Sequence, residues 1–398
     1  MRILHNLNAY TMWNEQPIAA AIAILNGKVH AIGDEEDILA LASRDTELVD
    51  LHGKTVLPGL TDSHLHLQYY ALGLKHIDCE TETLRECLKR VEIAAKGAPK
   101  GSWIRGHGWN QNNWIEGFGS AALLDQVAPE NPVYLTAKSL HASWANSAAL
   151  RLAGIDRNTP NPEGGIIQHD SNGSPTGILF ESAMELLEAA IPGPSQDEIT
   201  EAIRHAQSVL WSMGLTGVHD FDRQRCFRAL QSLDSNGELK LRVIKSIPLE
   251  ELEHAVSVGL QSGFGSEFLR IGSVKLFADG ALGPQTAAML QPYENDSTQY
   301  GLLFLDAEQI FEHGQMAARG GLSMAIHAIG DRANHEVLKA YSQIRQLEIV
   351  EGLKHLSHRI EHVQLLHPDH LNQLTALDII ASMQPIQTTS DMDAADKY

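Results

Sequence analysis

The sequence predicts an α/β fold, with a parallel sheet or barrel as its main part and a small β layer in front of it. Two patterns carry this prediction. From about residue 59, short apolar runs rich in β-branched residues alternate with longer amphipathic stretches, which is typical of βα units. Before that point, short apolar runs are separated by turn signals instead. A chain of 398 residues accommodates one barrel of about 250 residues together with added elements.

Residues 1–58 are predicted to form the N-terminal β layer. The run AIAILNGKVHAIG contains two apolar segments joined by Asn26-Gly27, a strong signal for a two-residue hairpin turn. The run TELVDLHGKTVLPGL repeats this theme, with Gly53 as its turn signal. We therefore expect short paired strands in this region.

Residues 59–398 are predicted to form the barrel part. Its strand candidates are PGLTDSHLHL, NPVYLTAKS, GLTGVHDF, LRVIKSI, RIGSVKLFADG, GLSMAIHAIG, HRIEHVQLL and IIASMQPI. Amphipathic segments such as DEITEAIRHAQSVLWSMG and DAEQIFEHGQMAARG are the helix candidates. Residues 101–180 are rich in Gly, Asn, Trp and Pro. They are expected to be an insertion, which either covers the mouth of the barrel or lies on the surface without function.

Composition limits the class of partner. The net charge is −20, from 30 basic and 50 acidic residues, which argues against nucleic-acid binding. The three cysteines form no CxxC pair, as expected in a reducing cytoplasm. Neither an apolar run of membrane-spanning length nor a secretory signal is found. We expect a cytoplasmic protein with a small-molecule substrate and no membrane partner, and a homodimer is compatible with this picture.

Four histidines stand at the ends of three predicted strands. His64 and His66 are two residues apart in PGLTDSHLHL, so on an extended strand they point to the same side. His327 closes LSMAIHAIG and His362 lies in RIEHVQ, both at the carboxyl end of a strand, where barrel enzymes place their chemistry. Each histidine alone is as easily structural, but the set favours a metal site of the zinc, iron or nickel type.

Lys275 lies inside the apolar strand SVKLFADG, between Val274 and Leu276. A buried lysine is costly unless it is neutralised or paired. An ordinary ion pair is one explanation. The other is a carbamate formed with CO₂, which would give the side chain the negative charge that a metal ligand needs.

At this point the chain resembles the amidohydrolase superfamily, and within it amidohydrolase family 3, the subgroup that includes N-substituted formamide deformylases. The resemblance covers nearly all of the chain. The stretches that carry it are LPGLTDSHLHL, SLHASWANSAAL, GLTGVHDF, VKLFADGALG, AIHAIGDRA, RIEHVQ and SMQPIQTTSDM. Together they are specific for the subgroup but not for a substrate.

The resemblance implies a distorted (β/α)₈ TIM barrel with one or two divalent metal ions, zinc first among the candidates. The implied metal ligands are His64, His66, Lys275, His327 and His362, with Lys275 carbamylated and bridging two ions. The family pattern also has an aspartate after the eighth strand, which acts as the general base. IIASMQPI is predicted to be the seventh strand, and Asp391 and Asp393 follow it too closely, so we expect the last strand and this base to be absent from the sequence.

The predicted function is hydrolysis of a carbon–nitrogen bond other than a peptide bond, in an amide or formamide-like small molecule, by metal-activated water. His219 and Asp279 lie near strand ends and are candidate substrate contacts. His141, in the insertion, is a candidate oxyanion donor. A structural role is equally compatible with each of these three residues.

Other prominent residues are expected to be structural. Glu361 should point to the opposite side of its strand from His362, and Asp331 should lie near the N-terminus of a helix. Tryptophans pack cores more often than they bind ligands, and this applies to Trp103, Trp109, Trp114 and Trp144.

Three alternatives remain at this stage. A degenerate or truncated amidohydrolase-like protein would have a binding or regulatory role, as described for regulators of exoenzyme production. A deaminase or an imidazolonepropionase-like ring opener is the second, and Lys275 argues against mononuclear deaminases. A serine or cysteine nucleophile hydrolase is the third, but the sequence has no GxSxG elbow and no Cys/His pairing.

Overall fold

The computed structural model of the chain describes residues 1–139, 141–282, 285–294, 297–387 and 392; Asp391 and Asp393 lie outside these residues. The described strands are β1 (Arg2–Tyr10), β2 (Ile18–Ala19), β3 (Ala21–Leu25), β4 (Lys28–Gly33), β5 (Glu47–Val56), β6 (Leu60–Leu65), β7 (Ile77–Asp78), β8 (Ile104–Trp109), β9 (Val133–Ala137), β10 (Ala142–Ala145), β11 (Gly165–His169), β12 (Pro175–Glu181), β13 (Leu215–Asp220), β14 (Arg242–Pro248), β15 (Leu269–Phe277), β16 (Met324–Ala328), β17 (Arg359–His362) and β18 (Ile380–Ser382).

The described helices are α1 (Glu35–Leu39), α2 (Leu67–Gly73), α3 (Leu84–Gly97), α4 (Ala121–Val127), α5 (Ser147–Leu152), α6 (Met184–Glu188), α7 (Gln196–Ser212), α8 (Gln224–Ser235), α9 (Leu252–Ser257), α10 (Ala307–Arg319), α11 (Asp331–Glu351) and α12 (Leu371–Ala376). Among them, none has the length and apolar character that a membrane crossing requires.

The chain divides into two compact units. The first consists of Met1–Leu65, Ser208–Asp220 and Leu241–Tyr398, and the second of His66–Gln207 and Phe221–Lys240. The first unit therefore contains both the predicted β layer and the strands predicted for the barrel. The irregular segment 101–180 belongs to the second unit.

The N-terminal layer is a mixed sheet in the order β2-β1-β3-β4, with β5 parallel to β1. The predicted hairpin is present, because β3 and β4 pair up to Leu25 and Lys28. Its two turn residues, Asn26 and Gly27, have φ of 52° and 76°. Positive φ at both positions is what a tight two-residue hairpin turn requires, and it explains the Asn-Gly pair.

The larger sheet of the first unit is parallel throughout. Its described strands lie in the order β6-β13-β14-β15-β16-β17-β18, so neighbours in space are also successive barrel candidates in sequence. Sequential parallel neighbours are typical of a βα barrel rather than of a doubly wound sheet. The predicted strand runs form this sheet with one exception, NPVYLTAKS, which forms β9 in the sheet of the second unit.

The sheet curves until its first and last described strands meet. Ser63 Oγ on β6 lies 3.4 Å from Ser382 Oγ on β18. The guanidinium of Arg359 donates to the Ser63 carbonyl at 2.7 Å and to the Ser382 hydroxyl at 2.6 Å. This nearly closed parallel sheet of seven described strands fits a TIM-like barrel.

The helices that follow β15 and β16 begin at clear sequence signals. Asp306 and Gln309 form a capping box at the start of α10, which satisfies two otherwise unpaired backbone amides. Asp331 is the first residue of α11, as predicted, and its carboxylate accepts a hydrogen bond from the Leu290 amide at 2.8 Å. These helices therefore start at the strand ends that carry the site.

A buried ionic cluster lies beside the start of β17. Arg345 Nη1 donates to Glu348 Oε2 at 2.6 Å, and His358 Nε2 donates to Glu348 Oε1 at 3.1 Å. The other ring nitrogen of His358 accepts the Met324 amide at 3.1 Å. Both nitrogens of this fully buried ring are thus used, and the cluster connects α11 to β16 and β17.

The second unit contains a mixed sheet in the order β11-β12-β10-β9-β8-β7. Its core includes Trp109, Trp114 and Trp144, which are 1%, 4% and 0% exposed. Their rings pack against one another at centroid distances of 6.0–6.5 Å. These tryptophans are core residues, as expected from their sequence.

The packing of β6 on β13 predicts a stability effect at Gly59. A Cβ there would overlap the Oγ1 and Cγ2 atoms of Thr216, so Gly59→Ala should cost about 1–3 kcal/mol through overpacking. Gly97→Ala is the control, because a Cβ at this α3 position has open space. Thermal unfolding should show a lower Tm for Gly59→Ala alone, with partial recovery in Gly59→Ala/Thr216→Gly. Equal Tm values for the two alanine variants would contradict the packing argument.

Candidate metal centre

Three histidines of the first unit meet near the carboxyl ends of parallel strands. The ring of His362 lies 4.7 Å from that of His64 and 4.6 Å from that of His327, measured between centroids. The register explains this meeting, since His327 of β16 is paired with Glu361 of β17, directly before His362. The strand ends predicted from the sequence to share one site therefore do so for these three residues.

Hydrogen bonds fix which nitrogen of each ring is available. His64 Nδ1 lies 2.7 Å from Glu361 Oε2, and His327 Nε2 lies 2.8 Å from the Gly280 carbonyl oxygen. Because both partners are acceptors, these nitrogens carry the proton. The lone pairs therefore remain on His64 Nε2 and His327 Nδ1.

His362 follows the same pattern. Its Nδ1 lies 2.6 Å from Gln384 Oε1, closer than the 3.2 Å to the amide nitrogen of Gln387. The shorter contact places the proton on Nδ1 and leaves Nε2 available. Metal-binding histidines commonly donate their other N–H to an oxygen in this way, so the three rings fit a divalent ion of the zinc type.

The protonation state of the rings agrees with this assignment. Burial lowers the pKa of His327 to about 4 and that of His362 to about 3. The charge of Lys275 acts in the same direction on both histidines. The rings are therefore neutral near pH 7, which is the form that binds metal.

Lys275 belongs to the same group of residues. Its side chain is buried on β15, and Nζ lies 4.8 Å from the centroid of the Phe277 ring. Burial lowers the pKa of Lys275 to about 7; the Glu361 charge opposes this shift and the Arg359 charge adds to it. A substantial fraction of the amine is therefore neutral near pH 7.

Arg359 connects four strands of the parallel sheet. Besides Ser63 and Ser382, it binds Glu361 through Nε at 2.5 Å and through Nη2 at 3.1 Å, and His219 Nδ1 through Nη1 at 2.7 Å. Burial would raise the pKa of Glu361, but hydrogen bonds from His64 and Arg359 lower it to about 2. The ionised Glu361 is thus fixed on one side by Arg359 and orients His64 on the other.

Glu361 was expected to point to the opposite side of its strand from His362 and to be structural, but its carboxylate binds His64 directly. The physical reason lies at the next residues. His362 and Val363 have φ of 78° and 49°, so the alternation of a regular strand ends there and both Glu361 and His362 reach His64. The sequence did contain a signal for the Arg359–Glu361 pair, since two charges two residues apart in an apolar strand share one side.

The two candidate substrate contacts of the first unit have defined partners. His219 accepts from Arg359 at Nδ1, and burial lowers the pKa of His219 to about 4, so its proton is on Nε2. Asp279 accepts the amides of Ala288, Ile329 and Gly330 at 2.7–3.0 Å. Asp279 therefore supports the loops beside His327, and contact of either residue with substrate remains a prediction.

Two further candidates, the metal ligand His66 and the oxyanion donor His141, lie in the second unit. His66 directly precedes α2, and its Nδ1 is 3.2 Å from Asp222 Oδ1. His141 is exposed and its Nδ1 is 3.1 Å from Glu181 Oε2. The ligand role of His66 and the oxyanion role of His141 remain predictions from the sequence.

Comparison with known proteins gives the family. The model of the amidohydrolase family matches residues 47–397. The chain belongs to the amidohydrolase family. The resemblance seen in the sequence motifs is thereby confirmed, and the nearly closed parallel sheet fits the barrel expected from it.

The sequences of known relatives align with most of the length of this amidohydrolase. It is 34% identical to the protein LONG AFTER FAR-RED 3 of Arabidopsis thaliana, over 99% of this chain and 70% of the relative. It is 31% identical to the N-substituted formamide deformylase of Arthrobacter pascens, over 89% and 68%. The crystal structure of an uncharacterized metal-dependent hydrolase from Pyrococcus furiosus superimposes with a TM-score of 0.77 at 30% identity, over 98% and 78%.

Glu361→Gln should weaken metal binding. The change removes the carboxylate that orients His64, and loss of such a supporting partner typically costs 10–100-fold in metal affinity. The measurement is competition with a chromogenic chelator. Glu348→Gln is the matched control, since it changes the carboxylate of the other buried Arg–Glu–His cluster. Equal metal affinity in both variants would contradict the orienting role.

The metal-free protein should lose stability in mild acid. His327 and His362 have folded pKa values of about 4 and 3, against 6.5 in the unfolded chain. Between pH 6.5 and 4 the unfolded chain therefore binds more protons, so the free energy of unfolding falls as the pH falls.

Thermal unfolding of the chelator-treated protein at several pH values tests this prediction. The Tm should decrease by about 1–2 °C for each 1 kcal/mol lost, because the unfolding entropy grows with chain length, and His327→Asn and His362→Asn should each flatten the slope. An unchanged slope in both variants would show that these rings are not the cause.

Proposed function

We propose that this protein is a metal-dependent hydrolase that cleaves a carbon–nitrogen bond other than a peptide bond, in an amide or formamide-like small molecule. The observation that carries the proposal is the set of three imidazoles that meet at strand ends, each with one nitrogen bound to an oxygen acceptor. Membership of the amidohydrolase family and the 31% identity to an N-substituted formamide deformylase support the choice of reaction.

The residues that would hold the metal are His64, His327, His362 and Lys275, with His66 added from the sequence pattern. Zinc is the first candidate, because imidazole and a carbamate oxygen are ligands that it accepts. A bound divalent ion lowers the pKa of a water molecule and polarises a carbonyl group.

Carbamylation of Lys275 would complete the ligand set. The neutral amine attacks the carbon of CO₂, its nitrogen loses one proton to solvent, and the product is a carbamate anion. The pKa of Lys275, lowered by burial to about 7, leaves enough neutral amine for this reaction near pH 7. The negative carbamate also removes the cost of burying a cation beside Arg359.

The remaining residues orient the candidate ligands and supply protons. Glu361, fixed by Arg359, keeps the proton of His64 on Nδ1. His219, fixed by the same arginine, presents an Nε2–H donor, which is suited to the carbonyl oxygen of a substrate. Asp279 holds the backbone beside His327 in place. Binding and orientation are thus built on strand ends rather than on flexible loops.

The test of the reaction is a panel of N-substituted formamides and simple amides, with release of amine and acid measured after metal is removed and restored. Metal-dependent release that is lost in His327→Asn supports the proposal. Metal binding without release across the panel would overturn the hydrolase assignment and favour a binding or regulatory protein.

Lys275→Ala should remove one metal ion from a two-ion centre, because the bridging oxygen pair is lost. Elemental analysis should give about two ions per chain for the unsubstituted protein, the number of a bridged site, and about one for the variant. Loading in CO₂-free buffer should reproduce the loss without any substitution. Lys245→Arg, which keeps a cation beside Asp220 on the neighbouring strands, is the control. Unchanged metal content in Lys275→Ala would refute the bridging role.

A further inference from the structure

A second group of histidines lies on α11 and on the 3₁₀ turn Pro368–His370. His335 Nδ1 is 3.0 Å from His370 Nε2, and the two ring centroids are 5.0 Å apart. The ring of His367 lies 5.8 Å from that of His370. The His370 ring therefore lies beside two further imidazoles, His335 and His367, and none of the three takes part in the proposed function.

Two carboxylates affect the pKa of the His370 ring. Burial and the charges of His335 and His367 lower the pKa of His370, whereas the charges of Asp369 and Asp331 oppose this shift. Asp331 and His335 are four residues apart on α11, which places them on one face of the helix. The His370 ring thus lies among two further imidazoles and two carboxylates.

We propose that His335 and His370 form a two-histidine binding site for a divalent transition-metal ion such as Zn²⁺, with solvent as the remaining ligands. Two nitrogens bound to a tetrahedral zinc ion at 2.0–2.1 Å are separated by about 3.3 Å. The observed separation of 3.0 Å between His335 Nδ1 and His370 Nε2 needs only a small outward movement of the rings. Imidazole suits zinc, nickel or copper.

Gln373 on α12 completes the arrangement. Its amide nitrogen lies 3.1 Å from His370 Nδ1. Rotation of the amide by half a turn exchanges its nitrogen and oxygen, so the oxygen then accepts a proton on Nδ1. One proton moves from Nε2 to Nδ1 of His370, no net charge changes, and Nε2 becomes free to bind the ion. A histidine that binds a metal through one ring nitrogen usually donates the N–H of its other ring nitrogen to an oxygen.

Zinc titration of the full chain tests the site. The metal-stripped protein is titrated with Zn²⁺ in a calorimeter, and the unsubstituted chain is compared with His335→Gln/His370→Gln. The candidate centre of His64, His327 and His362 is intact in both, so failure of the proposed function does not affect the comparison. We expect the double variant to lose one equivalent of zinc, while His254→Gln, at an exposed histidine of α9, retains it. Identical isotherms for the unsubstituted chain and the folded double variant would overturn the proposal.

Chemical protection gives a second test that needs no substitution. Diethyl pyrocarbonate acylates accessible imidazole nitrogens, and peptide mass spectrometry locates the modified rings. Zn²⁺ should protect His335 and His370 in the unsubstituted chain but leave His254 reactive in the same sample. Equal modification of His335 and His370 with and without Zn²⁺ rules the site out.

Discussion

The buried pair of Arg359 and Glu361 is the interaction on which the candidate centre depends. The guanidinium reaches β6, β13 and β18 from its position on β17, and the carboxylate sets the proton of His64. Taking both charges out of water is costly, and only a complete set of hydrogen bonds offsets that cost. The same contacts therefore connect the first and last described strands of the sheet and orient His64, a candidate metal ligand.

Uncharged imidazole rings lie beside this pair, whose carboxylate is ionised. The rings of His327 and His362 remain uncharged because burial disfavours their protonated forms, and each has an oxygen acceptor behind it. Lys275 can be either charged or neutral, since its pKa is lowered to about 7. It is a cation in the first form and a nucleophile in the second. Uncharged ring nitrogens beside one ionised carboxylate are suited to bind a divalent cation.

Much of this arrangement was predictable from the sequence, and the exceptions have physical causes. The strand runs, the Asn26-Gly27 turn and the convergence of His64, His327 and His362 follow from periodicity and from the common direction of parallel strands. The role of Glu361 was missed because the rule of alternating sides fails where His362 adopts a positive φ, a local conformation that no residue pattern announced. The core role of Trp109 and Trp144 in the second unit follows from their size. The relation of His66 to the other ligands depends on contacts between distant segments, which sequence spacing does not encode.

The strand β17 has only four residues, and two clusters, each of an arginine, a glutamate and a histidine, accompany it. Arg345, Glu348 and His358 form the cluster directly before the strand, and Arg359, Glu361 and His64 form the cluster along the strand itself. A strand this short has too few side chains for hydrophobic patterning to fix its register, so the two ionic clusters do so instead. Insertions and deletions should consequently be excluded between His358 and His362 over evolutionary time.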